Sequence, residues 1–341
     1  MTSQQDYFRP LIQHGPARPK GAVQLAGGEG WFTQIEVLGR GRLPQIVPMS
    51  DVPSDVIDTL ARPRSPICGL SFDVPRVMGI LNTTPDSFSD GGVHAAAQDA
   101  VASGLAMTQA GVDILDIGGE STRPGAQTVE LTQEINRTVP AVLGLRAAGC
   151  KTPISIDTRK APVAQATLDA GADLINDVSG FTFDTALAPL AAQMEVPVCV
   201  MHALGDPEIM QRDPRYDDVL LDVFDTLKSQ ISVLVQTGID RSRIIADPGI
   251  GFGKTLPHNL TLLSRLSLFH SLGVPILLGA SRKRFIGTIG QVTQADARLP
   301  GSLGVAMAAL SHGIQILRVH DVSETIQAIA LWRAAMTGRQ Q

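Results

Sequence analysis

The chain has 341 residues, of which 44% are apolar and 18% are charged. This composition is typical of a folded globular protein and excludes a largely disordered chain. The formal net charge of −5 excludes a broad basic surface for nucleic acid or an anionic membrane. Any anionic ligand must therefore be held by a local cluster of basic groups. The length allows either two domains or one α/β barrel.

The cysteines indicate the cellular compartment. Cys68, Cys150 and Cys199 are far apart, so they form neither a metal-binding spacing nor a disulfide framework. A reducing compartment fits this pattern best. The N-terminus, MTSQQDYFRP, lacks the apolar segment of a signal peptide, and no apolar stretch is long enough to span a membrane. We expect a cytoplasmic protein that binds neither nucleic acid nor membrane.

Residues 1–75 differ in character from the rest of the chain. They are rich in Gly and Pro and show no pattern that indicates chemistry. Residues 31–37 roughly alternate between apolar and polar, which favours short edge strands. Residues 53–61 are compatible with one or two helical turns. We interpret this segment as an N-terminal extension or small subdomain of unknown role.

From residue 77 onward, short apolar runs typical of buried strands alternate with Ala- and Leu-rich stretches of helical periodicity. The strand-like runs are 77–82, 114–118, 154–157, 174–178, 196–202, 244–247, 276–279 and 316–320. Helical stretches include 95–110, 161–170, 216–237, 260–272, 302–312 and 323–336. Eight β/α units predict an α/β protein with a (β/α)₈ TIM barrel over residues 76–341. A doubly wound open sheet is the alternative, but no G-x-G-x-x-G loop follows the first strand.

Each predicted strand ends in polar residues. These ends include Asn82, Asp157-Thr158-Arg159, Asn176-Asp177, His202, Asp247, Ser281-Arg282-Lys283 and Arg318-Val319-His320-Asp321. In a parallel barrel all eight carboxyl ends open onto one face, where active sites are built. One polar end alone is compatible with helix capping, whereas eight together predict a site.

Three of these side chains are suited to the edge of a heterocycle. Asp157, Asn176 and Asp247 offer acceptors and one donor, and a carboxylate can accept paired hydrogen bonds from a 2-amino-4-oxo-pyrimidine. Lys283 would donate to the carbonyl side of such a ring. The alternative for each Asp, and for Asp157 in particular, is a helix N-cap.

A second group is suited to oxyanions. Arg123 and Arg318 carry guanidinium groups that match phosphate, and Asn82 and His320 can fix the remaining oxygens. Mg²⁺ commonly binds through one or two protein oxygens together with substrate phosphates and water, so Asn82 alone would suffice as its ligand. No dedicated metal cage, P-loop, Ser-His-Asp elbow or H-E-x-x-H pattern is visible. We interpret His202 as a hydrogen-bonding structural residue rather than a base.

Residues 80–92 (ILNTTPDSFSDGG) and 116–125 (DIGGESTRPG) closely resemble the two signatures of dihydropteroate synthase. Further resemblance lies in Ile156-Asp157-Thr158, Ile175-Asn176-Asp177, residues 247–254 (DPGIGFGK), Ser281-Arg282-Lys283 and Arg318-Val319-His320-Asp321. The match runs from about residue 77 to residue 336, in the family's order and over all eight strand ends. Residues 1–75 lie outside it.

The resemblance implies a folate-pathway transferase that condenses 6-hydroxymethyl-7,8-dihydropterin diphosphate with 4-aminobenzoate, giving 7,8-dihydropteroate and diphosphate. It implies catalytic roles for Asp157, Lys283, Arg318 and His320, and the other assignments follow by position. The pterin site would comprise Asp157, Asn176, Val178, Met201, Asp247 and Lys283. The diphosphate site would comprise Asn82, which also binds Mg²⁺, with Arg123, Arg318 and His320. The aminobenzoate pocket, which sulfonamides occupy in the family, would comprise Thr122, Arg123, Pro124, Phe252, Ser281 and Lys283.

Two alternative functions are weighed against this resemblance, which also implies an oligomeric state. A catalytically silent pterin-binding paralogue would act through residues 1–75, but the intact Asn82, Lys283 and Arg318 disfavour it. A methyltetrahydrofolate-dependent methyltransferase has no need of Thr122-Arg123-Pro124 or Ser281-Arg282-Lys283. The family resemblance implies a homodimer formed through helices late in the barrel.

Overall fold

The structure is a computed structural model that describes residues 5–83, 92–121, 128–205 and 210–338, with only the backbone of residues 92–95. The extension forms two small antiparallel sheets and one helix. Its elements are β1 (Tyr7–Pro10), β2 (Val23–Gln24), β3 (Trp31–Phe32), β4 (Gln34–Leu38), β5 (Gln45–Pro48) and α1 (Ser54–Ala61). Strands β1, β4 and β5 form one sheet and β2 and β3 the other. Both predictions for this segment, short strands and a short helix, are confirmed.

Eight parallel strands then form a barrel, as predicted. They are β6 (Arg76–Asn82), β7 (Ile114–Gly118), β8 (Ile154–Asp157), β9 (Leu174–Asp177), β10 (Val198–Met201), β11 (Ile244–Asp247), β12 (Leu277–Leu278) and β13 (Ile316–Val319). Their order is β11-β10-β9-β8-β7-β6-β13-β12. A parallel bridge between Ala246 and Ile276 joins the two end strands. The sheet is therefore a nearly closed barrel.

Helices cover the outside of the barrel. They are α2 (Gly92–Gln109), α3 (Leu131–Ala147), α4 (Ala161–Asp169), α5 (Leu187–Gln193), α6 (Val219–Gln236), α7 (Leu256–Ser264), α8 (Arg284–Gly290), α9 (Leu299–Ser311) and α10 (Val322–Thr337). The predicted helix over 260–272 is partly wrong. Thr255 caps α7 in a reciprocal capping box with His258, so that helix begins earlier, and Leu266–Leu272 forms a separate 3₁₀ segment. Among the described residues, no helix is both long and apolar enough to cross a bilayer.

An apolar layer fills the barrel at the amino ends of its strands. It contains Met78, Ile114, Leu174, Cys199, Ile245, Leu277 and Ile316. Ile67 and Phe72, which precede the first barrel strand, pack into the same layer. Because strand side chains alternate in direction, the residue two positions later faces the same interior one layer higher. The apolar layer therefore places Asp116, Asn176, Asp247 and Arg318 toward the opposite end.

The extension packs on the outer helices of the barrel. The Tyr7 ring meets Phe224 of α6 edge-on at 5.6 Å, and its hydroxyl donates to Asp225 Oδ2 at 2.7 Å. Arg40 pairs with Asp222 and Asp225 of the same helix, at 2.6 and 2.8 Å. Glu29 of the extension pairs with Arg333 of α10. The extension is thus fastened to two separate barrel helices.

We expect Tyr7→Ala to lower the free energy of unfolding by about 3 kcal/mol, because it removes a buried aromatic ring from this contact. Denaturant unfolding of the full chain measures this change. Leu43→Ala is the control, since Leu43 lies in the same extension but is 87% exposed, and it should change the value by less than about 0.5 kcal/mol. Equal effects of the two substitutions would contradict the assigned packing.

Candidate active site

A cavity of about 770 Å³ opens at the carboxyl ends of the barrel strands. Its lining draws on strand ends and on the loops that follow β7, β11 and β12. The lining includes Ile80, Asn82, Glu120, Ser121, Asp157, Phe252, Lys254, Ser281, Lys283, Arg284, Arg318 and His320. This is the face on which the sequence predicts a site, and a volume of this size suits small-molecule ligands.

Asp116, Asp157, Asn176, Asp247 and Arg318 form a polar layer in the barrel interior, which we call the charged layer. Within it, Arg318 lies between two carboxylates. Its Nε donates to Asp116 Oδ2 at 2.6 Å, and a terminal nitrogen donates to Asp157 Oδ2 at 2.7 Å. Asn176 Nδ2 lies 3.3 and 3.4 Å from the two oxygens of Asp116. Sequence reasoning did not assign Asp116 a role. Asp116 lies two residues beyond Ile114 on β7 and so faces the barrel interior, and this position could have indicated a role.

One oxygen of Asp157 has no hydrogen-bond partner among the described residues. Oδ1 is buried and accepts no hydrogen bond within the described part of the chain, whereas Oδ2 is held by Arg318. Burial raises the pKa of Asp157 to about 7, against the opposing effect of Arg318. The N-cap alternative is wrong for this residue, because Lys160 occupies the cap position of α4 and the first backbone N–H of that helix donates to Asp184 Oδ2 at 2.8 Å. An unpaired buried acceptor is costly unless a ligand donates to it.

Asp247 and Lys283 lie on the other side of the layer. Asp247 Oδ1 accepts from the backbone N–H of Gly249 at 2.7 Å. Only glycine fits at 249, because φ is +67° and a Cβ would stand 1.9 Å from the carbonyl oxygen of His202. Burial lowers the pKa of Lys283 to about 7, although Asp247 opposes that shift, and burial also raises the pKa of Asp247.

Phe252 forms a wall beneath the Lys283 ammonium. The Nζ atom lies 4.3 Å from the ring centroid and also donates to the carbonyl of Ile250. The loop is held in turn by Lys254, whose Nζ lies 3.0 Å from the Phe252 carbonyl and 2.9 Å from His202 Nδ1. Burial lowers the pKa of His202 well below its ordinary value, so the ring is neutral. His202 is therefore a structural partner of Lys254, a lysine that sequence reasoning did not assign.

The remaining predicted residues divide into three sets. Ser281 Oγ lies 3.0 Å from His320 Nδ1, and both residues line the cavity beside Arg318. Val178 and Met201 are buried at the ends of β9 and β10 and are not among the lining residues. Thr122, Arg123 and Pro124 lie outside the described residues, although the preceding Glu120 and Ser121 line the cavity.

Asn82 is the one predicted metal ligand. Its side chain lines the cavity at the end of β6 and makes no hydrogen bond in the described ranges. Gly118 leaves room beside it, since a Cβ there would stand 3.9 Å from Asn82 Oδ1. Among the described residues, no group of three His, Cys, Asp or Glu side chains is arranged to hold a metal. The donor set therefore fits a hard cation held mainly by a ligand's oxygens and water.

A buried ionic cluster adjoins the cavity, and we refer to Glu120, Glu134, Arg159 and Lys160 by this name. Lys160 Nζ lies 2.7 Å from Glu120 and 2.6 Å from Glu134, while Arg159 pairs with Glu120 at 2.6 Å. Sequence reasoning assigned none of the four. Glu120 lies shortly after strand β7, and Arg159 and Lys160 lie shortly after β8, so their places near strand ends could have indicated a role. Glu134 lies in α3, away from any strand end, so its place in the sequence gave no such indication.

Comparison with known proteins places this site in a family. Residues 78–320 match the family model described as pterin binding enzyme. Dihydropteroate synthase from Escherichia coli (strain K12) is 44% identical over 274 residues, covering 80% of this chain and 96% of that protein. About a fifth of this chain therefore lies outside the match.

Solved structures similar to this chain point to the same family. Dihydropteroate synthase from Xanthomonas albilineans with 4-aminobenzoic acid is 43% identical with a TM-score of 0.75, covering 80% of this chain and 98% of that one. The Yersinia pestis enzyme in a sulfonamide drug complex is 42% identical with a TM-score of 0.73, covering 78% and 96%. The chain therefore belongs to the pterin binding enzyme family. The prediction of a dihydropteroate synthase, a transferase of folate biosynthesis, is confirmed by these comparisons.

The two pKa values near 7 predict a bell-shaped pH dependence for binding of a pterin that lacks the diphosphate group. Below pH 7 Asp157 takes up a proton and loses its acceptor, so affinity should fall about tenfold per pH unit. Above pH 7 Lys283 loses its charge and becomes a weaker donor. Calorimetric titration between pH 5.5 and 8.5 measures both limbs, a range of about 1.5 units on either side of neutrality.

Two variants test whether Asp157 causes the acid limb of this pH profile and Lys283 the alkaline limb. Asp157→Asn should leave weaker binding without the acid limb, whereas Asp169→Asn, an exposed aspartate on α4, should keep the whole profile. Lys283→Arg should flatten the alkaline limb, because a guanidinium stays charged throughout this range. An acid limb that survives in Asp157→Asn would show that another group titrates.

Proposed function

We propose that this chain condenses 6-hydroxymethyl-7,8-dihydropterin diphosphate with 4-aminobenzoate, forming 7,8-dihydropteroate and diphosphate. The observation that carries the proposal is the buried Oδ1 of Asp157, which receives no hydrogen bond from the described residues, in a layer that also holds Asn176 and Asp247. A carboxylate held in place by Arg318 and lacking a donor matches the amino and ring N–H groups of a pterin. The 4-aminobenzoic acid bound to the Xanthomonas relative supports the second substrate.

Pterin recognition uses the charged layer. Asp157 and Asp247 accept from the amino-pyrimidine edge, and Asn176 both donates and accepts. Lys283 lies beside Asp247 and donates to the pterin carbonyl, and Met201 and Val178, buried at the ends of β10 and β9, are assigned to the ring by their sequence positions. Since Asp157 and Asp247 are already oriented by Arg318 and by the Gly249 amide, little side-chain entropy is lost on binding.

The diphosphate end lies toward Asn82, Arg318 and His320. Two N–H groups of Arg318 donate to Asp116 and Asp157. Because a guanidinium has five N–H groups, others remain to donate to phosphate oxygens. Arg123 adds a second guanidinium by its sequence position. Asn82 would hold Mg²⁺ through its carboxamide oxygen, and the bound ion would supply charge neutralisation for the leaving diphosphate.

The reaction exchanges one bond for another at the pterin methylene carbon. The carbon–oxygen bond to diphosphate breaks, the aromatic amine forms a carbon–nitrogen bond, and the amine releases one proton. Arg318 and His320 stabilise the charge that develops on the leaving group. Anionic Asp157 stabilises positive charge that develops on the dihydropterin. The amine needs little help from a base, which agrees with His202 being occupied by Lys254.

The aminobenzoate pocket lies above the pterin. Phe252 and the stem of Lys283 give it an apolar wall, and Ser281 and the Lys283 ammonium border it. Thr122, Arg123 and Pro124 complete it by their place in the sequence. Lys283 therefore stands between the two substrates.

Purified protein should release diphosphate from the pterin substrate only when 4-aminobenzoate and Mg²⁺ are both present, and a sulfonamide should block that release. Lys283→Ala should lower kcat/KM for both substrates by about 10²-fold, because a charged hydrogen-bond donor is lost. Lys228→Ala, at an exposed position of α6, is the control and should leave both values unchanged.

The same assay separates the alternatives. Pterin binding without diphosphate release would favour the silent paralogue, and methyl transfer from methyltetrahydrofolate without diphosphate release would favour the methyltransferase. Normal kinetics for both substrates in Lys283→Ala would contradict its assigned place.

Asn82→Ala should raise the Mg²⁺ concentration for half-maximal activity about tenfold, because one protein oxygen is lost while the diphosphate and water ligands remain. Mg²⁺ titration of the variant beside the wild type measures it. Chelation by EDTA should abolish activity in both proteins. An unchanged Mg²⁺ dependence in Asn82→Ala would contradict the assigned ligand.

We also propose a cytoplasmic location and a homodimer. All three cysteines are free thiols, which fits a reducing compartment. Ile289 of α8 and Leu331 of α10 are 57% and 67% exposed, which supports an association through late helices. Light scattering after gel filtration would test the dimer.

A further inference from the structure

The loop between β11 and α7 forms one wall of the cavity, and we call its residues 249–254 the glycine loop. Gly251, Phe252 and Lys254 of this loop line the cavity. Every second residue, at positions 249, 251 and 253, is a glycine with a positive φ. Glycine adopts many backbone conformations, so a loop of this composition does not fix its own shape. The shape of this wall must therefore come from contacts made by other side chains.

Four successive carbonyl groups of the glycine loop, those of residues 250–253, each accept a hydrogen bond from a different side chain. The donors, in the order of those carbonyls, are Lys283, Gln211 at 2.5 Å, Lys254 at 3.0 Å and Tyr216 at 2.8 Å. Two amides are also held, since Gly249 donates to Asp247 and Gly251 donates to Asn259 Oδ1 at 2.7 Å. The glycine loop therefore has its backbone groups satisfied by side chains rather than by regular secondary structure.

Tyr216 contacts the glycine loop without lining the cavity. It lies between β10 and α6 and is not among the lining residues, whereas Phe252 is. The centroid of its ring is 5.0 Å from that of His258, in an edge-on contact, and 6.0 Å from that of His202. These ring contacts orient the hydroxyl that donates to the Gly253 carbonyl. Tyr216 can therefore act on a ligand only through the loop.

The two ends of the glycine loop have separate supports. At its beginning the loop is bonded to Asp247 and Lys283, two residues assigned to the pterin. At its end Tyr216 holds the carbonyl of residue 253, which directly follows Phe252. The Phe252 ring is the apolar face on which the Lys283 ammonium lies, 4.3 Å from the ring centroid. A change confined to Tyr216 should therefore loosen the aromatic wall and leave the pterin contacts in place.

We propose that Tyr216 is a positioning residue for the second substrate and acts through Phe252. This inference rests on the proposed function, in which Phe252 is the apolar wall of the aminobenzoate pocket. By holding the carbonyl next to Phe252, the Tyr216 hydroxyl restricts the conformations of the glycine loop before any ligand binds. Less conformational entropy is then lost when the aromatic substrate packs on this wall.

The first test is Tyr216→Phe in the full chain with Mg²⁺, a change that removes the hydroxyl and keeps the ring. We expect KM for 4-aminobenzoate to rise about fivefold, as is typical for one lost hydrogen bond, while Kd for the pterin diphosphate stays within about twofold. The inhibition constant of a sulfonamide should rise in the same proportion as that KM, because both ligands would pack on Phe252. A rise in KM of less than about twofold, or an equal rise in the pterin Kd, would overturn the inference.

Tyr7→Phe is the matched control, because it removes the same group from the only other tyrosine in the chain. The Tyr7 hydroxyl donates to Asp225 on α6, and Tyr7 is not among the residues that line the cavity. This variant should lower thermal stability and leave KM for 4-aminobenzoate unchanged. An equal rise of that KM in both variants would show a general effect of a lost hydrogen bond, against a specific role of Tyr216.

A double-mutant cycle tests whether Tyr216 acts through Phe252. Phe252→Leu removes the aromatic wall, and we expect it to raise KM for 4-aminobenzoate by itself. Adding Tyr216→Phe to Phe252→Leu should then raise KM by less than about twofold further, because residues that act as one unit have non-additive effects. A further rise as large as that of Tyr216→Phe alone would show that Tyr216 acts by another route, and the inference would fail.

Hydrogen exchange provides a readout that needs no turnover. The Phe252 amide donates to the Gly249 carbonyl at 3.2 Å within the glycine loop. It should exchange faster in Tyr216→Phe than in the wild type or Tyr7→Phe, because the loop opens more easily when it loses a contact. Unchanged exchange in an active enzyme would overturn the inference alone. A wild-type protein that releases no diphosphate would instead overturn the proposed function, and the assigned substrate with it.

Discussion

The alternation of side chains along the strands of a nearly closed parallel barrel is the constraint on which the rest of this structure depends. Met78, Ile114, Leu174, Ile245 and Ile316 fill the interior near the amino ends of their strands. The residue two positions further along each strand must then face the same interior, one layer higher. On β7, β9, β11 and β13 that residue is Asp116, Asn176, Asp247 or Arg318, which the apolar layer separates from the other end of the barrel.

Such a layer of charges is costly to bury, and the structure offsets the cost unevenly. Arg318 forms ion pairs with Asp116 and Asp157, and Asp247 accepts a hydrogen bond from the backbone N–H of Gly249. Oδ1 of Asp157 has no partner within the described ranges, and burial raises the pKa of that carboxyl. Full satisfaction by the protein would leave nothing for a ligand to bind, so the incomplete pairing suits the layer to the proposed pterin recognition. Beside it, the ionic cluster pairs Lys160 with Glu120 and Glu134, and Arg159 with Glu120.

Sequence reasoning succeeded where local pattern and barrel topology agree. Asp157, Asp247, Lys283 and Arg318 follow short apolar runs, and parallel topology places all strand ends on one face. It missed Asp116 because this carboxylate lies within an apolar strand, and Lys254 because it stands in a glycine-rich loop. Glu134 sits in a helix, where a charged residue usually indicates a solvated surface. None of these roles can be assigned without knowing which elements meet.

The sequence by itself determined the eight strands, most of the helices and the family, because apolar periodicity and strand-end motifs are local features. It also predicted the short strands and helix of the extension, but not where they pack on the barrel. Only the tertiary structure decided that Tyr7 packs on α6 and that Ile67 and Phe72 fill the barrel's end. It alone decided which oxygen of Asp157 lacks a partner in the part of the chain that the structure describes, and that Lys160 joins Glu120 to Glu134. Those facts depend on distances between residues far apart in the chain, which no local pattern encodes.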